Sequence, residues 1–255
     1  MNQITKDSII SEVKKKKELS GIAGSVISNL LDKLTKNKIY PDNLSEKGKK
    51  LIVKSIRADL RKYAGRFRSS LKDREKLLQE EKYEDLALTH VSTSERMKEY
   101  SFLKKLIKET KAKSILDLGC GLNPLLIAES KMKYHASDIN SDDIKIINLF
   151  FKKKKIKGEA FIHDLRDPPE KLPKTDLTLM LKVLGIIETK GHKIAERIIT
   201  SLKSKYMIIS FSTIKISGRK MNSPQRYWVE NLLARLKYKY KKIWTNNEVF
   251  YLVTK

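Results

Sequence analysis

The N-terminal part of the chain, up to about residue 110, places its apolar side chains at helical spacing. Glycine is sparse there and alternating β-branched runs are few, so we expect helices throughout. The clearest helix is predicted from Ser45, which can cap its N-terminus, to Phe67. One face carries apolar residues three or four positions apart: Ile52, Ile56, Leu60, Tyr63 and Phe67. That face is expected to pack in a core.

From about Lys113 the pattern changes to short apolar runs that alternate with amphipathic segments. The apolar runs predict strands at 113–118, 133–138, 159–163, 176–181 and 205–211, with a closing pair near 240–254. The amphipathic segments predict helices near 124–130, 141–154, 190–203 and 224–237. Such alternation is typical of an α/β fold with a mostly parallel sheet covered on both faces. Asn246-Asn247, between two β-rich runs, predicts a final antiparallel hairpin.

A glycine-bounded turn follows the first predicted strand, in the sequence Ser-Ile-Leu-Asp-Leu-Gly-Cys-Gly-Leu-Asn-Pro at 114–124. Gly119 and Gly121 would let a ligand approach the backbone closely. Asp138, 17 residues after Gly121, ends the second strand, where it can bind both hydroxyls of a ribose. Pro124 stands where a dinucleotide fingerprint needs its third glycine. The turn therefore favours S-adenosylmethionine (SAM), which has ribose and adenine but no phosphate. The alternative is an ordinary strand–turn–helix without a ligand.

The segment His163-Asp164-Leu165-Arg166, after the third predicted strand, is a candidate for adenine contact. Asp164 could accept a hydrogen bond from the adenine amino group, and Leu165 could pack on the ring. The alternative, a polar turn before the following prolines, explains the segment equally well.

Another candidate is the segment 90–96, His-Val-Ser-Thr-Ser-Glu-Arg. Ser92 or Thr93 is expected to cap a helix there. Arg96 would then lie near a helix N-terminus, where the helix dipole disfavours a cation. An anionic partner for Arg96 would resolve this conflict, and the carboxylate of SAM is one candidate.

Motifs that activate a methyl acceptor are missing from the sequence. Asp167-Pro168-Pro169-Glu170 imitates the D-P-P-Y/F motif of amino-methylating enzymes, but it lacks the aromatic that stacks on a base and follows the third strand instead of the fourth. We interpret it as a rigid turn. After the fourth strand, Leu181-Lys182-Val183-Leu184 contains no amide or proline, and the single cysteine, Cys120, lies in the glycine turn. These features favour a methyl acceptor such as guanine N7, whose lone pair is available without a general base. We therefore assign no general base.

The charge of the chain indicates a polyanionic partner. Its 255 residues carry a formal net charge of +25. Residues 1–112 hold 27 Lys and Arg against 16 Asp and Glu, and the remainder holds 28 against 14, so the basicity is not a detachable tail. Nucleic acid is the partner that such a balance favours, although a lysine-rich proteome or thermal adaptation would also raise charged content.

Two basic surfaces are predicted to contact RNA. The first is a stripe on the 45–67 helix, with almost no acid four residues away from its members: Lys50, Lys54, Arg57 and Arg61. The second is the loop 211–221 after the fifth main strand, which carries Lys215, Arg219 and Lys220. For both surfaces the alternative is an ordinary solvated face.

Other classes of function are disfavoured. The four histidines show no metal-ligand spacing, and one cysteine allows no intramolecular disulfide. No apolar run approaches membrane-spanning length, and Lys14 to Lys17 interrupt any signal core. We therefore expect a cytoplasmic monomer with no metal and no membrane partner.

Taken together, these segments resemble the 16S rRNA (guanine-N7) methyltransferases that confer aminoglycoside resistance, the Arm/FmrO family. The matching segments are 90–96, 114–125, 134–139, Leu181-Lys182, 209–211, Lys215, Ser217-Gly218 and 247–251. They run in the family's order and cover roughly residues 60–255. The family usually has proline after the strand-five Phe, and this chain has Ser212.

The resemblance implies a class I SAM-dependent methyltransferase domain (Rossmann-like) at 111–255, preceded by a helical RNA-docking domain at 1–110. It implies methyl transfer from SAM to N7 of a guanine in the decoding site of the small ribosomal subunit. It places Arg96 at the SAM carboxylate, Asp138 at the ribose, Asp164 near adenine and Lys182 beside the pocket, where a catalytic part for Lys182 stays open. The predicted cofactor-binding residues are His90, Arg96, Gly119, Gly121, Asp138, Ile139, Asp164, Leu165 and Lys182.

Two alternatives remain. One is a methyltransferase for another rRNA base, such as adenine N1. The other is a non-catalytic RNA-binding or ribosome-assembly factor that has kept the fold.

Overall fold

The structure is a computed structural model. It describes residues 2–36, 44–64, 73–167, 172–188, 191–215, 218–222 and 224–255.

Seven strands form one mixed sheet in the order β3-β2-β1-β4-β5-β7-β6. Their bounds are β1 Ser114–Leu118, β2 Lys133–Asp138, β3 Lys157–Ile162, β4 Leu177–Leu181, β5 Tyr206–Ser212, β6 Lys239–Trp244 and β7 Glu248–Thr254. Strands β1 to β5 pair in parallel, whereas β7 runs antiparallel to β5 and to β6. This is the predicted class I methyltransferase sheet with its C-terminal hairpin, and the fold prediction is confirmed.

The burial of the strands explains why their sequences differ. Strand β4 is buried along its whole length and is apolar except for Thr178, because helices cover both faces of the sheet. Strand β6 forms the outer edge and carries Lys239, Lys241 and Lys242. Lysines on an edge strand oppose pairing with another chain.

Nine α-helices accompany the sheet in the described part of residues 73–255. They are α4 Arg74–Gln79, α5 Tyr83–Leu88, α6 Val91–Glu95, α7 Tyr100–Glu109, α8 Pro124–Ile127, α9 Ser141–Lys154, α10 Leu184–Ile187, α11 Lys193–Ser201 and α12 Tyr227–Arg235. Helix α9 has stabilising side chains at both of its ends. The Asn140 side chain accepts from the N–H groups of Asp142 and Asp143, and lysines fill its last turn. The single-turn helix α10 was not predicted.

Three helices precede this unit: α1 Gln3–Lys14, α2 Gly24–Thr35 and α3 Glu46–Tyr63. As predicted, Ser45 caps α3, and its Oγ accepts from the Gly48 N–H at 3.2 Å. The helix ends at Tyr63, and the predicted continuation to Phe67 lies outside the described residues. The three helices share an apolar core formed largely by residues 9–31 and 52–60.

Backbone hydrogen bonds connect the N-terminal helices to the sheet. Ala23 N–H donates to the carbonyl of Ile139 at 3.0 Å, and Ser141 N–H donates to that of Gly21 at 2.8 Å. The segment between α1 and α2 is therefore attached to the loop that follows β2. Helices α4, α5 and α7 add apolar side chains to the core on one face of the sheet. The domain division at residue 110 stays a prediction.

Candidate functional site

A pocket lies at the carboxyl ends of β1, β2 and β4. Gly119 follows β1, Asp138 ends β2, and Lys182 follows β4, and all three line it. Strands β2 and β4 pair with opposite edges of β1, so the strand order reverses direction here. Open α/β sheets bind ligands at such a switch point.

The glycine turn needs its glycines. Gly119 has φ +66°, and a Cβ there would come within 2.6 Å of Val183 Cγ2. Gly121 has φ +51°, and a Cβ would come within 2.4 Å of His90 Cε1. Gly119 lines the pocket itself, whereas Gly121 acts through its N–H, which donates to Asp138 Oδ2 at 3.0 Å. The turn thus brings backbone close to the pocket and fixes the acid on its far side.

Asp138 is held with its carboxylate at the pocket wall. Besides the Gly121 bond, its Oδ1 accepts from Asn140 N–H at 3.1 Å. Burial and the nearby Asp143 carboxylate raise the pKa of Asp138 to about 6, although the backbone N–H donors oppose the shift. A pair of hydroxyl donors would favour the ionised form, since a carboxylate accepts several hydrogen bonds. Ile139 lines the pocket beside it, as predicted for a cofactor contact.

Asp164 and Leu165 also line the pocket, but the Asp164 carboxylate is already engaged. Arg166 contacts both of its oxygens, with Nη2 at 2.5 Å from Oδ2 and Nε at 2.9 Å from Oδ1. Burial alone would raise the pKa of Asp164, but the hydrogen bonds and charge of Arg166 lower it below its ordinary value. The adenine contact of Asp164 stays a prediction, and a ligand amino group there would share the carboxylate with Arg166.

Arg166 joins this wall to helix α3. Its Nη1 donates to Asp59 Oδ2 at 2.8 Å, and its guanidinium lies 4.1 Å from the Tyr63 ring centroid. Tyr63, Ala64 and Ile22 of the N-terminal region line the pocket directly. The helical spacing of Tyr63 predicts only a place in the core. Its place in the pocket depends on a contact across more than 100 residues, which no local pattern signals.

Two details predicted for segment 90–96 are wrong. The cap of α6 is His90, whose Nδ1 accepts from Thr93 N–H at 3.3 Å, and not Ser92 or Thr93. Arg96 is the C-terminal cap of α6 and not part of its first turn, although it also precedes the short 3-10 helix Met97–Glu99 as its N-terminal cap. The dipole of α6 favours a cation at that end, so α6 itself gives no reason to expect an anionic partner.

The side chains around Arg96 give a different reason to expect an anionic partner. Only 1% of its side chain is exposed. Its Nε lies 2.8 Å from Glu248 Oε1, and its Nη1 lies 2.9 Å from the side-chain oxygen of Asn123, a residue that lines the pocket. Arg96 Nη2 is buried without a hydrogen-bond partner among the described residues. A buried donor left unpaired costs about 1–3 kcal/mol, and a ligand acceptor would offset that cost.

Lys182 is held in a strained backbone conformation with φ +60°. Its N–H donates to the carbonyl of Ser210 at 3.0 Å, and its Nζ lies 3.0 Å from Glu95 Oε2 and 3.4 Å from Glu248 Oε1. Such backbone strain in a non-glycine residue costs about 1–3 kcal/mol and is concentrated at functional sites. Burial would raise the pKa of Glu248, but the charges of Arg96 and Lys182 lower it. One buried carboxylate therefore serves two buried cations.

A second pocket adjoins the first. Ser92, Lys182 and Ile186 line both, so they form a shared wall. The second pocket is also lined by Phe211, near the end of β5, and by Lys215 in the basic loop that follows. Arg219 and Lys220, in the same loop, are exposed beyond the lining.

The basic stripe on α3 consists of two kinds of residue. Lys50 and Lys54 are exposed. Arg57 donates to the carbonyl of Glu12, and Arg61 lies 2.8 Å from Glu18 Oε1. The near-absence of acids four residues away therefore did not leave all four cations unpaired, because α1 and the turn after it supply partners.

The described part of the chain gives no support for a metal site, a membrane span or a nucleophilic thiol. No group of three or more His, Cys, Asp or Glu side chains there is arranged to hold a metal ion. Within the same residues, no helix has both the length and the apolar character to cross a membrane. The Cys120 thiol is buried, and burial raises its pKa well above the ordinary value, which disfavours the nucleophilic thiolate.

Comparison with known sequences identifies similar proteins. A family model described as ribosomal RNA methyltransferase (FmrO) matches residues 83–252. A 16S rRNA (guanine(1405)-N(7))-methyltransferase from Serratia marcescens is 30% identical over 172 residues, which are 65% of this chain and 67% of that one. One of the same name from Micromonospora echinospora is 26% identical over 174 residues, 65% of this chain and 63% of that one. The alignments thus span about two thirds of these relatives' length.

Solved structures match over a longer part of the chain. The 16S rRNA methylase RmtB superposes with a TM-score of 0.75 at 22% identity, covering 98% of each chain. The methyltransferase RmtF, solved with S-adenosyl-L-homocysteine, gives 0.78 at 19% identity, covering 100% of this chain and 99% of that one. At these identities the likeness shows the fold, including its N-terminal helical region.

Proposed function

Because the chain belongs to the FmrO family of ribosomal RNA methyltransferases, we propose that it transfers a methyl group from SAM to N7 of a guanine in the 16S rRNA of the small ribosomal subunit. The observation that carries the proposal is the pair of pockets with a shared wall. One has the features of a nucleoside site, and the other opens beside a basic loop.

The residues of the first pocket fit SAM. Asp138 offers a carboxylate to the ribose hydroxyls, and Gly119, which lines the pocket, lets the ligand lie against the backbone. Leu165 and Ile139 provide apolar contact for the adenine. Arg96 Nη2, the buried donor without a partner, supports its assignment to the SAM carboxylate, which Asn123 would help to orient. When bound, SAM supplies a methyl group activated by a sulfonium.

The second pocket is proposed to receive the target guanine after it leaves the base stack. Extrusion of a base costs a few kcal/mol, which binding in the pocket must offset. The lone pair of guanine N7 is available at neutral pH, so the chain's task is to hold the base in line with the methyl group. We assign no general base. Lys182, on the shared wall, is proposed to position the base.

The N-terminal helices are proposed to dock on rRNA phosphates. Lys50 and Lys54 are exposed on α3, while Tyr63 at the end of the same helix lines the cofactor pocket. Helix α3 would thus connect RNA docking with the cofactor site. Residues 1–110 would be the docking domain and 111–255 the catalytic domain of a cytoplasmic monomer.

The test is incubation of the protein with methyl-labelled SAM and purified small subunits. We expect label in the 16S rRNA for the wild-type protein and a large loss for Asp138→Ala. Lys203→Ala, which removes an exposed lysine before β5, is the matched control and should retain activity. Absence of label from both subunits and free rRNA would contradict the proposal.

A further inference from the structure

Glu95 lines the second pocket and is much more exposed than the lysine with which it pairs. Its carboxylate pairs with Lys182 Nζ at 3.0 Å, yet 51% of its side chain is exposed, against 8% for Lys182. The Glu95 carbonyl accepts from Asn247 Nδ2 at 3.3 Å, which ties this residue to the hairpin turn. Glu95 lines only the second pocket, whereas Lys182 lines both. The donor, Lys182, thus lies at the shared wall, and the acceptor, Glu95, lies on the side of the second pocket.

We propose that Lys182 and Glu95 together select guanine, with Lys182 donating to O6 and Glu95 accepting from N1–H. The inference rests on the proposed function, because it assumes a purine whose N7 faces the cofactor pocket. Along the edge of guanine, the acceptor N7 is followed by the acceptor O6 and then by the donor N1–H. The pocket presents the complementary order: the cofactor side, then an ammonium, then a carboxylate.

Adenine fits this order badly. It carries an amino group in place of O6 and an unprotonated N1 in place of N1–H. The amino group would face the ammonium of Lys182, and the N1 lone pair would face the carboxylate of Glu95. A site that hydrogen-bonds its substrate rejects an analogue without the matching groups, because its own polar groups are then left unpaired.

Glu95 also has the right charge for the reaction. Methylation at N7 places a positive charge on the purine, which makes N1–H a stronger donor. The bond to the Glu95 carboxylate therefore strengthens as the charge develops, and interactions that strengthen toward the transition state raise kcat. A carboxylate that only neutralised Lys182 would have no such effect, and Glu248, 3.4 Å from the Lys182 ammonium, already supplies a neutralising charge.

The first experiment compares Glu95→Gln with the wild-type protein on small subunits. The amide keeps the shape but loses the charge, so we expect kcat/KM to fall about tenfold or more, mostly through kcat. The affinity for S-adenosylhomocysteine, measured by calorimetry, and the affinity for subunits should each change less than about twofold if the cofactor site is intact. Glu84→Gln, an exposed carboxylate on α5 outside both pockets, is the control.

The second experiment changes the base. Subunits are reconstituted with inosine or 2-aminopurine at the nucleotide methylated in the wild-type reaction. Inosine keeps O6 and N1–H and should remain a substrate, whereas 2-aminopurine lacks both and should lose at least about 100-fold in kcat/KM. Glu95→Ala should reduce the difference in kcat/KM between guanine and 2-aminopurine.

Failure of the inference and failure of the proposed function give different results. If wild-type protein leaves guanine unmethylated in subunits, the proposed function fails. If it methylates guanine but Glu95→Gln retains kcat/KM within twofold and Glu95→Ala discriminates as well as wild type, only the selection role of Glu95 is wrong.

Discussion

Protonation of Asp138 should weaken cofactor binding in mildly acidic solution. Its pKa of about 6 arises from burial, to which the Asp143 carboxylate adds. Ribose hydroxyls donate to the ionised carboxylate, so the ligand binds that form and lowers the pKa of Asp138 when bound. Affinity should therefore be full well above pH 6 and should fall as the pH drops through about 6.

The size of the effect follows from the pKa. With a pKa of about 6, about nine tenths of the Asp138 carboxyls are ionised at pH 7 and about one tenth at pH 5. The dissociation constant for S-adenosylhomocysteine should therefore rise about tenfold between those two pH values.

Isothermal titration calorimetry at pH 5, 6 and 7 measures this change. His90 and His163 also line the pocket, and histidines ordinarily titrate near neutral pH, so Asp138→Asn is the reference. The variant should bind about 10–100-fold more weakly at pH 7, because it loses a charged acceptor, and should lose most of the pH dependence. An Asp138→Asn profile as steep as that of the wild type would refute the reasoning.

Three further predictions concern the turn, the buried ion pair and the basic stripe. Gly121→Ala forces a Cβ within 2.4 Å of a histidine ring at a positive φ, so thermal unfolding should show a loss of about 1–3 kcal/mol, with weaker cofactor binding. Arg96→Met leaves Glu248 buried with one cation fewer, and urea unfolding should show a loss of about 3–5 kcal/mol. Glu248→Gln leaves two buried cations without their shared carboxylate and should cost at least as much. Lys50→Glu with Lys54→Glu should weaken subunit binding and reduce its salt dependence without changing cofactor affinity.

The predictions for the turn and for the basic stripe each have a control within the chain. A Cβ on Gly24 would meet its nearest atom at 3.8 Å, so Gly24→Ala should be tolerated. Lys203 is exposed before β5, at the end of the sheet away from the pockets, so Lys203→Glu should leave subunit binding nearly unchanged. Equal losses in a variant and its control would indicate general damage to the protein and would contradict the role given to that residue.

The sequence predicted the sheet well because local periodicity reports burial directly. Each strand pattern from Lys113 onward corresponds to an observed strand, and Asn246-Asn247 lies in the turn of the final hairpin. The glycine turn was predictable for a similar reason. Left-handed backbone and close neighbours require glycine, and here they coincide at Gly119 and Gly121.

The charge network of the site was less predictable, because its contacts join residues far apart in the chain. Arg96 and Glu248 are 152 positions apart, and Arg166 and Asp59 are 107 apart. No local spacing signals either pair. The wrong helix end assigned to Arg96 has a more local cause. His90 supplies a cap that serine and threonine normally provide, which moves the helix start two or three residues toward the N-terminus.

The central claim is tested most directly by identifying the methylated nucleoside. Small subunits incubated with the wild-type protein and SAM would be digested to nucleosides and fragments for mass spectrometry. We expect 7-methylguanosine at a single position of the 16S rRNA. Appearance of 1-methyladenosine instead, or of no new methylated nucleoside, would contradict it.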